Sequence, residues 1–371
     1  MRSEIKNAIT IAAIVIVLVA GLGAYLTTLD KPQASNVQNS TNNKQTSNVI
    51  AVDESQYPVA PDLVGISGYI NTTPEELKTA MKDKVVLYDF WTYTCINCIR
   101  TFPYLKAWNE KYSDKGLLIV GVHSPEFEFE KDINNVKMAV TKYGLKYPVV
   151  LDNDHNTWDA FGNRYWPAEY VTDSLGHIRH THFGEGSYDE TEKVIQQLLD
   201  ERSKRLGLNV TADQPLADIQ EHQFANQQTP ELYFGYNFAS GRDFLGNSEG
   251  FQSGQIVTYS FPSNLQQDHF YLEGQWQNLP DGMKLASQSG KIVLPYYAKD
   301  IHIVAANKAD LQILLDGKPI TSSDAGADVQ NGIVHVSENR LYNLISSNSA
   351  GQHTLTIVAQ PGFEIYTFTF G

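Results

Sequence analysis

The chain has 371 residues. Because a usual domain has roughly 100–200 residues, we expect two folded units with additional segments. Hydrophobic residues make up 42% of the sequence, which is enough for sizeable cores and excludes a largely disordered protein. Lys and Arg number 28 against 42 Asp and Glu, and the net charge of −14 repels phosphate backbones. We therefore expect no nucleic-acid partner.

The N-terminal segment has the pattern of a membrane anchor. Residues 8–29 contain no charged side chain, and Arg2 and Lys6 precede them. At about 1.5 Å per residue, such a run spans roughly the ~30 Å hydrocarbon layer of a bilayer. A cleaved signal peptide is the alternative, because residues 21–24 include small side chains. The positive charge favours a cytoplasmic segment 1–7, so a single-pass cell-membrane protein with both folded domains on the extracytoplasmic side is predicted.

Residues 30–56 are predicted to form a flexible linker. Of the 16 residues 33–48, 13 are Ser, Thr, Asn or Gln, which bury too little apolar surface to offset the entropy of ordering. The segment is interpreted as a spacer that holds the folded part away from the membrane.

Residues 57–205 alternate short apolar runs with amphipathic helical patterns. The predicted strands are 85–91, 117–123, 147–151, 169–172 and 177–183. The predicted helices are 98–112, 128–143 and 189–205. This order predicts an α/β domain on a mixed sheet, closed by a hairpin and a terminal helix.

After a linker at 206–230, residues 231–371 show alternating strands between turn signals, for example at 311–320, 353–360 and 365–370. This pattern predicts an all-β sandwich or jelly roll. Five aromatic residues there either fill the core, which is their commoner role, or form a sugar-stacking surface. They are Trp276, Tyr296, Tyr297, Tyr342 and Tyr366.

Cys95 and Cys98 are the two cysteines of the sequence, at the junction of a predicted strand and helix. Three-residue spacing at a helix start puts both sulfurs on one face, within bonding reach. The helix N–H groups and macrodipole stabilise a thiolate at Cys95, which attacks, while the deeper Cys98 resolves the mixed disulfide. A structural zinc site needs four ligands, and the sequence near the pair offers no further ones. A purely structural disulfide would stabilise the fold only weakly, because the loop that it closes is so short. The pair therefore predicts redox activity.

The residues around this pair resemble a known family. Asp89-Phe90-Trp91, Cys95-Ile96-Asn97-Cys98 and Pro103 resemble the active-site strand and helix of thioredoxin. The segment 117–151 resembles the insertion of the exported TlpA-like branch. The stretches WTYTCINCIRTFPYL and NRYWPAEYVTDSLGHIR are similar to the extracytoplasmic part of DipZ-type thiol-disulfide proteins. The resemblance implies a thioredoxin-like domain followed by a β-sandwich likened to carbohydrate-binding modules.

The resemblance also implies roles for individual residues. Asp89 corresponds to the buried aspartate that exchanges a proton with the resolving cysteine, Cys98, and a carboxyl under an apolar sheet has a raised pKa. Pro167 corresponds to the cis-proline that faces the disulfide and presents backbone groups to a substrate strand. Trp166 before that proline, and Trp91 before the cysteines, are predicted to contact substrate.

The same resemblance implies the partners. Protein substrates with thiols or disulfides are expected, and no organic cofactor or metal is required. DipZ-type proteins often carry a multi-span electron-transfer domain, whereas this chain has one predicted span, so a separate membrane electron donor or acceptor is expected. Ile96 and Asn97 replace the Gly-Pro of thioredoxin. Whether the protein is a reductant, an oxidant or an isomerase therefore stays open.

Two other functions stay open as alternatives. Cys95 and Cys98, helped by His123, could receive or deliver copper, because soft thiolates suit Cu(I). Residues 231–371 could bind a glycan or the cell wall, with a vestigial redox domain, although a fold analogy alone does not establish glycan binding.

Three weaker signals are interpreted as ordinary structure. Arg100 is expected to be a solvated helix residue rather than a thiolate partner. His180 and His182 share one face of a strand, but two imidazoles without a third ligand make a weak metal site. Thr92 stands three residues before the first cysteine, as in peroxiredoxins, but Tyr88 occupies the position where those enzymes need Pro, which disfavours peroxide reduction.

Overall fold

A computed structural model describes residues 56–212, 215–222, 228–239 and 244–371. The predicted anchor at 8–29 lies outside these residues, as does nearly all of the spacer at 30–56. Within the described ranges, no helix combines the length and the apolar character needed to cross a bilayer.

The first half of the described chain is an α/β domain. Its strands are β1 (Gly68–Ile70), β2 (Val85–Trp91), β3 (Leu117–His123), β4 (Val149–Leu151), β5 (Ala168–Thr172) and β6 (Ile178–Phe183). Its helices are α1 (Pro74–Ala80), α2 (Ile96–Tyr112), α3 (Ile133–Tyr143), α4 (Asn156–Ala160) and α5 (Tyr188–Leu206), with a 3₁₀ turn at Glu128–Lys131. The six strands form one mixed sheet in the order β1-β4-β3-β2-β5-β6, in which β2–β3 and β3–β4 are parallel.

Strand β2 lies inside this sheet and is buried along its whole length. Its residues alternate between two apolar layers, because successive side chains of a strand point to opposite faces. Val85, Leu87 and Trp91 join the core formed with α2, α3 and α5, whereas Val86 and Phe90 join the core beside α1 and α4. Asp89 lies two positions from Leu87 and from Trp91 along the strand. Its side chain therefore points to the same face as theirs, towards α2.

The predicted helix at 128–143 is divided in the structure. Glu128–Lys131 is a 3₁₀ turn, and α3 begins only at Ile133. Asp132 separates them because its extended backbone places the carboxylate where it accepts a hydrogen bond from the Asn134 N–H at 2.9 Å. An aspartate at this position is a helix cap, which ends one element and starts the next.

Helix α2 carries Pro103 in its interior. A proline there lacks the N–H that would close a helical hydrogen bond, so other interactions must hold the helix. The helix buries Phe102, Leu105, Trp108 and Tyr112, spaced three or four residues apart, against the sheet. Burial of about 1.5–3 kcal/mol per large apolar side chain outweighs the missing bond.

The predicted linker at 206–230 contains no helix or strand in its described part after Leu206, yet it is packed. Ala212 is buried. The Tyr104 hydroxyl donates to the Ile219 carbonyl at 3.1 Å, and the Ala217 N–H donates to Glu192 at 2.7 Å. The described part of this segment therefore lies along α2 and α5.

The second half is a β domain, so the all-β prediction is confirmed. Its first strands are β7 (Leu232–Tyr233), β8 (Ile256–Tyr259), β9 (Tyr271–Asn278), β10 (Met283–Leu285) and β11 (Gly290–Ala306). They are followed by β12 (Ala309–Leu315), β13 (Lys318–Pro319), β14 (Val329–Gln330), β15 (Ile333–Val336), β16 (Arg340–Ala359) and β17 (Glu364–Phe370).

All eleven strands are linked in one hydrogen-bonded sheet. The long strands β11 and β16 pair with each other with two register shifts, and β11 adds β9 along its first part and β17 along its second. Residues from both ends of the sheet, such as Val257 in β8 and Val334 in β15, belong to one apolar core. The sheet therefore folds over on itself to enclose that core, and the finer jelly-roll assignment stays a prediction.

The two domains share an apolar contact beside the start of α2. Its buried members are Phe127 of the α/β domain and, from the β domain, Tyr233, Val304, Ala306, Leu341 and Tyr366. Ile96 and Ile99, in the first turn of α2, pack against this group. The Tyr93 hydroxyl also donates to the Asn339 carbonyl at 3.1 Å. The β domain thus covers one flank of the helix that carries both cysteines.

Candidate active site

The two cysteines occupy different depths at the start of α2. Cys95 is the N-cap residue, with extended backbone, and the Cys98 N–H donates to its sulfur at 3.2 Å. Cys95 is half-buried, whereas Cys98 is fully buried, and both are free thiols. A helix N-terminus offers unpaired N–H groups that stabilise an anion on the capping atom. The geometry therefore suits attack by Cys95 and resolution by Cys98.

Burial controls the protonation of Cys98. Its pKa is raised well above the ordinary value, first by desolvation and then by the Cys95 thiol, with a further contribution from the charge of Asp89. A thiol of this kind stays protonated until a nearby base takes the proton. Asp89 is the carboxyl group whose charge acts on the Cys98 sulfur from within the same apolar layer.

Asp89 lies in the middle of β2 and is fully buried. Neither carboxylate oxygen has a hydrogen-bond partner among the described residues. Its pKa is raised well above the ordinary value, by burial first and then by the negative charge of Glu169. Glu169 stands directly opposite Asp89 on β5 and is itself buried, and burial raises its pKa to about 8.

The sequence patterns did not identify Glu169 as a site residue. The sequence does show it two residues after Pro167, as a charged residue inside an apolar strand. A charge in that setting signals a buried polar group. Its partner, however, depends on the register between β2 and β5, which no local pattern specifies.

Trp91 was predicted to contact substrate, and the structure corrects this. Its side chain is fully buried, with its ring edge-on to His123 at 5.1 Å and to Phe102 at 5.2 Å between centroids. The indole also crosses Gly121, where a Cβ would lie 2.9 Å from the indole nitrogen. Trp91 therefore packs behind the cysteines, because the strand parity that buries Val85 and Leu87 also buries it.

His123, which the copper-binding alternative requires as an additional ligand, is buried between aromatic rings. Its Nε2 lies 3.4 Å from the Thr92 hydroxyl, and its ring stacks on Tyr93 with centroids 5.8 Å apart. Burial lowers the pKa of His123 to about 3, so the imidazole is neutral at ordinary pH. No group of three or more His, Cys, Asp or Glu side chains with metal-binding geometry occurs in the described part of the chain.

Trp166 and Pro167 lie at the end of the sheet that also carries the cysteines. Phe90 of β2 pairs with Ala168 of β5 in antiparallel register, so the residue before β5 comes next to the end of β2. The Trp166–Pro167 peptide bond is cis. The Trp166 indole donates to the Ser124 carbonyl at 3.0 Å and packs on Trp158 at 4.3 Å between centroids. Trp166 is half-buried and held in place by these contacts.

A buried carboxylate anchors the residue before Cys95. The Thr94 hydroxyl donates to Glu130 at 2.5 Å, and the N–H groups of Glu126 and Phe127 donate to its other oxygen. Burial raises the pKa of Glu130, and these hydrogen bonds act against that rise. The side chain joins the loop that presents Cys95 to the 3₁₀ turn, and the sequence patterns gave no indication of it.

The exposure of Arg100 also differs from the prediction of a solvated side chain. Its side chain is 13% exposed and forms an ion pair with Glu185, with the nitrogen and oxygen 3.4 Å apart. It is therefore not a solvated helix residue. Packing of the β domain and the following loops around α2, which the helical pattern alone does not reveal, explains the difference.

The five aromatic residues of the β domain were candidates for sugar stacking. Trp276, Tyr296, Tyr342 and Tyr366 are buried in the structure, and Tyr297 is 39% exposed. Four of the five therefore fill apolar cores and do not line an accessible surface. Glycan binding through this set loses its structural basis.

Two family models match consecutive parts of the chain. A model described as Redoxin matches residues 59–199, and a model described as a thioredoxin-like C-terminal domain matches residues 229–371. The thiol-disulfide oxidoreductase YkuV of Bacillus subtilis is 33% identical over 143 residues, which are 38% of this chain and 94% of that relative. The chain belongs to the thioredoxin-like thiol-disulfide oxidoreductases.

Other relatives extend the match across both domains. The protein DipZ of Mycobacterium tuberculosis is 35% identical over 315 residues, which are 84% of this chain and 43% of that relative. The chain thus spans less than half the length of the DipZ proteins it matches. A solved structure described as a thioredoxin-like protein in the oxidized form is 32% identical, covers 39% of this chain and 97% of its own, and has a TM-score of 0.35.

Proposed function

We propose that the protein exchanges disulfides with protein substrates through Cys95 and Cys98, on the extracytoplasmic side of a membrane to which residues 8–29 anchor it. The observation that carries the redox part is the arrangement at α2, where a half-buried N-cap sulfur lies in front of a fully buried thiol that senses the charge of Asp89. The charge-free run at 8–29 after Arg2 and Lys6 supports the anchor.

In the reducing direction, the Cys95 thiolate attacks one sulfur of a substrate disulfide. A Cys95–substrate disulfide forms, the substrate disulfide breaks, and one substrate thiolate leaves. Cys98 then gives its proton to Asp89 and attacks Cys95. The Cys95–Cys98 disulfide forms and the second substrate thiolate leaves, so the substrate gains two electrons and the protein loses two. The oxidising direction is the reverse of these steps.

The sequence has two cysteines, so one cycle leaves both of them oxidised or both reduced. We propose that a separate membrane electron donor or acceptor then restores the starting state. Trp166, half-buried and fixed next to Pro167, supports a substrate-binding surface beside Cys95.

The two cysteines provide a matched pair of variants for testing this function. With insulin as the substrate disulfide, wild type should reduce the substrate, whereas Cys95→Ser and Cys98→Ser should fall to the uncatalysed rate. Cys98→Ser should retain a covalent complex with substrate, because Cys95 attacks but no thiol resolves the product. Cys95→Ser should form no such complex, since the remaining thiol is buried. Equal activity in all three proteins, or complexes trapped equally by both variants, would refute the proposal.

A further inference from the structure

A row of titratable side chains crosses the sheet of the α/β domain at the level of Asp89. Asp89 on β2 pairs directly with Glu169 on β5, and Glu169 pairs with His182 on β6. Directly opposite residues of antiparallel strands project from the same face. Since β6 is the edge strand of this sheet, the row leads from the fold interior beneath the cysteines to the border of the domain.

The members of this row lack the partners that buried polar groups normally have. Both oxygens of Asp89, Oε2 of Glu169 and Nε2 of His182 are buried without a hydrogen-bond partner among the described residues. Neither carboxyl group forms an ion pair with any residue that the structure describes. Such groups are costly to bury, so they call for a functional explanation.

Helix α5 offers a second connection from Glu169 outward. Thr191 lies close enough to the Glu169 carboxyl group to act against the rise in its pKa, and the Thr191 hydroxyl lies 3.1 Å from Nε2 of His180. His180 and His182 are both half-buried, on the same side of the edge strand. A proton on Glu169 therefore has a polar route past the apolar layer, whereas Asp89 alone is enclosed.

We propose that Glu169 is a positioning residue for the resolving step: it shares one proton with Asp89 and relays the proton that Asp89 takes from Cys98 towards His180, His182 and solvent. The inference rests on the proposed disulfide exchange. Two adjacent buried carboxyl groups cannot both ionise, so above the Glu169 pKa of about 8 the pair holds one proton and can accept a second.

The proton balance is complete in this scheme. Cys98 loses its S–H proton to Asp89, its thiolate attacks the Cys95 sulfur, and the bond from Cys95 to substrate breaks. The carboxyl pair then carries two protons, and one leaves through Glu169 towards the edge of the sheet. The substrate disulfide is the oxidant, and no further reactant is needed.

The titratable groups that face Glu169 come from several packed elements. They are Asp89 on β2, His182 on β6, Tyr188 on α5 and Tyr147 in the loop before β4. The charge of Glu169 contributes to the raised pKa of Tyr147 and of Tyr188, so both phenols stay neutral. With a pKa of about 8, Glu169 gains or loses its proton near neutral pH.

The test uses Glu169→Gln, which keeps the shape of the side chain and replaces its titratable carboxyl group with an amide. Reduced protein is mixed with 5,5′-dithiobis(2-nitrobenzoate), which releases one coloured thiolate when Cys95 attacks and a second when Cys98 resolves. We expect the first release to be unchanged and the second to slow by about tenfold or more at pH 9, where the wild-type pair can accept a proton. The rate inflection near pH 8 in wild type should disappear in the variant.

Glu192→Gln is the matched control. Glu192 is a buried carboxylate on α5, next to Thr191, but it accepts hydrogen bonds from Trp108, Tyr112 and Ala217. This variant should leave both releases unchanged. Asp89→Asn should slow the second release, and adding Glu169→Gln to it should slow that release no further, because residues that act as one unit are not additive.

The possible results separate the two proposals. A second release at the wild-type rate and pH profile in Glu169→Gln, with slowing in Asp89→Asn, overturns the relay and leaves the disulfide exchange intact. Absence of a second release from wild type overturns the disulfide exchange itself. If Glu169→Gln does not fold, carboxyl-carbon NMR of ¹³C-glutamate-labelled wild type decides the question. A Glu169 titration near pH 8 that shifts on oxidation supports the relay, and an ordinary one near ~4.3 overturns it.

Discussion

Burial shifts the pKa values of single residues at this site towards the neutral form. Burial raises the pKa of Asp89, Glu169 and Glu130 and lowers that of His123. The reason is shared, because each side chain was moved from water into an apolar layer where the ionised form is costly. Proton transfer inside such a layer is sensitive to each neighbour, so these residues link stability to function.

His123 should make the protein sensitive to acid. Its pKa is about 3 when folded, against an ordinary value of about 6.5, so the unfolded chain binds the extra proton first as pH falls. This contribution to stability is present above pH ~6.5 and is lost progressively as pH falls towards 3, by about 5 kcal/mol at most.

His123→Gln tests this effect, because glutamine does not gain a charge. The free energy of unfolding, measured by urea denaturation from pH 7 to pH 4, should fall less steeply in the variant than in wild type. Parallel curves for the two proteins across that range would show that the imidazole does not titrate as described.

At the scale of elements, the site depends on how the start of α2 is held. Cys95 caps the helix, and the preceding Thr94 is tied to Glu130 in the 3₁₀ turn. The turn also contacts the β domain, since the Glu128 N–H donates to Asp281 at 3.1 Å. The loop that carries Cys95 is therefore positioned by two elements that the short Cys-x-x-Cys motif does not contain.

Thr94→Val should lower the free energy of unfolding by about 1–3 kcal/mol, because it leaves a buried carboxyl oxygen without its donor. The reaction of Cys95 with iodoacetamide should change as well, since the loop loses its anchor. A double-mutant cycle with Glu130→Gln, followed by urea denaturation, measures the coupling. Additive effects of the two substitutions would contradict a direct bond between these side chains.

Considered as a whole molecule, the β domain is part of the surroundings of the redox pair. Tyr366 packs on Phe127 and Phe129, with centroids 5.2 and 4.8 Å apart, and the same cluster covers Ile96 in the first turn of α2. An apolar contact of this kind couples the two domains in unfolding and covers part of the first turn of the helix that Cys95 caps.

Tyr366→Ala should therefore do two things. It should lower stability by about 3–5 kcal/mol through loss of a buried aromatic ring, and it should raise the alkylation rate of Cys95 by uncovering that turn. Tyr297→Ala, at an exposed ring of the same domain, is the control and should change neither quantity. Loss of stability without any change in alkylation would show that the contact does not shield the site.

Local sequence patterns predicted where the cysteine pair lies and much of the architecture. Apolar runs and helical spacing predicted β2, β3, α2 and α5 nearly to the residue, because one periodicity continues through each of them. The short elements β1, α1 and α4 were not predicted, because three to seven residues carry too little periodic signal. The junction of strand and helix placed Cys95 and Cys98, since that arrangement is encoded in consecutive residues.

Tertiary structure alone decided which side chains surround the pair. Glu169 meets Asp89 through strand register, and Trp91 is buried by the layers on both faces of β2. The β domain reaches Ile96 through a contact between residues more than a hundred positions apart. Such pairings depend on how whole elements pack, and local propensity contains no information about a partner distant in the chain.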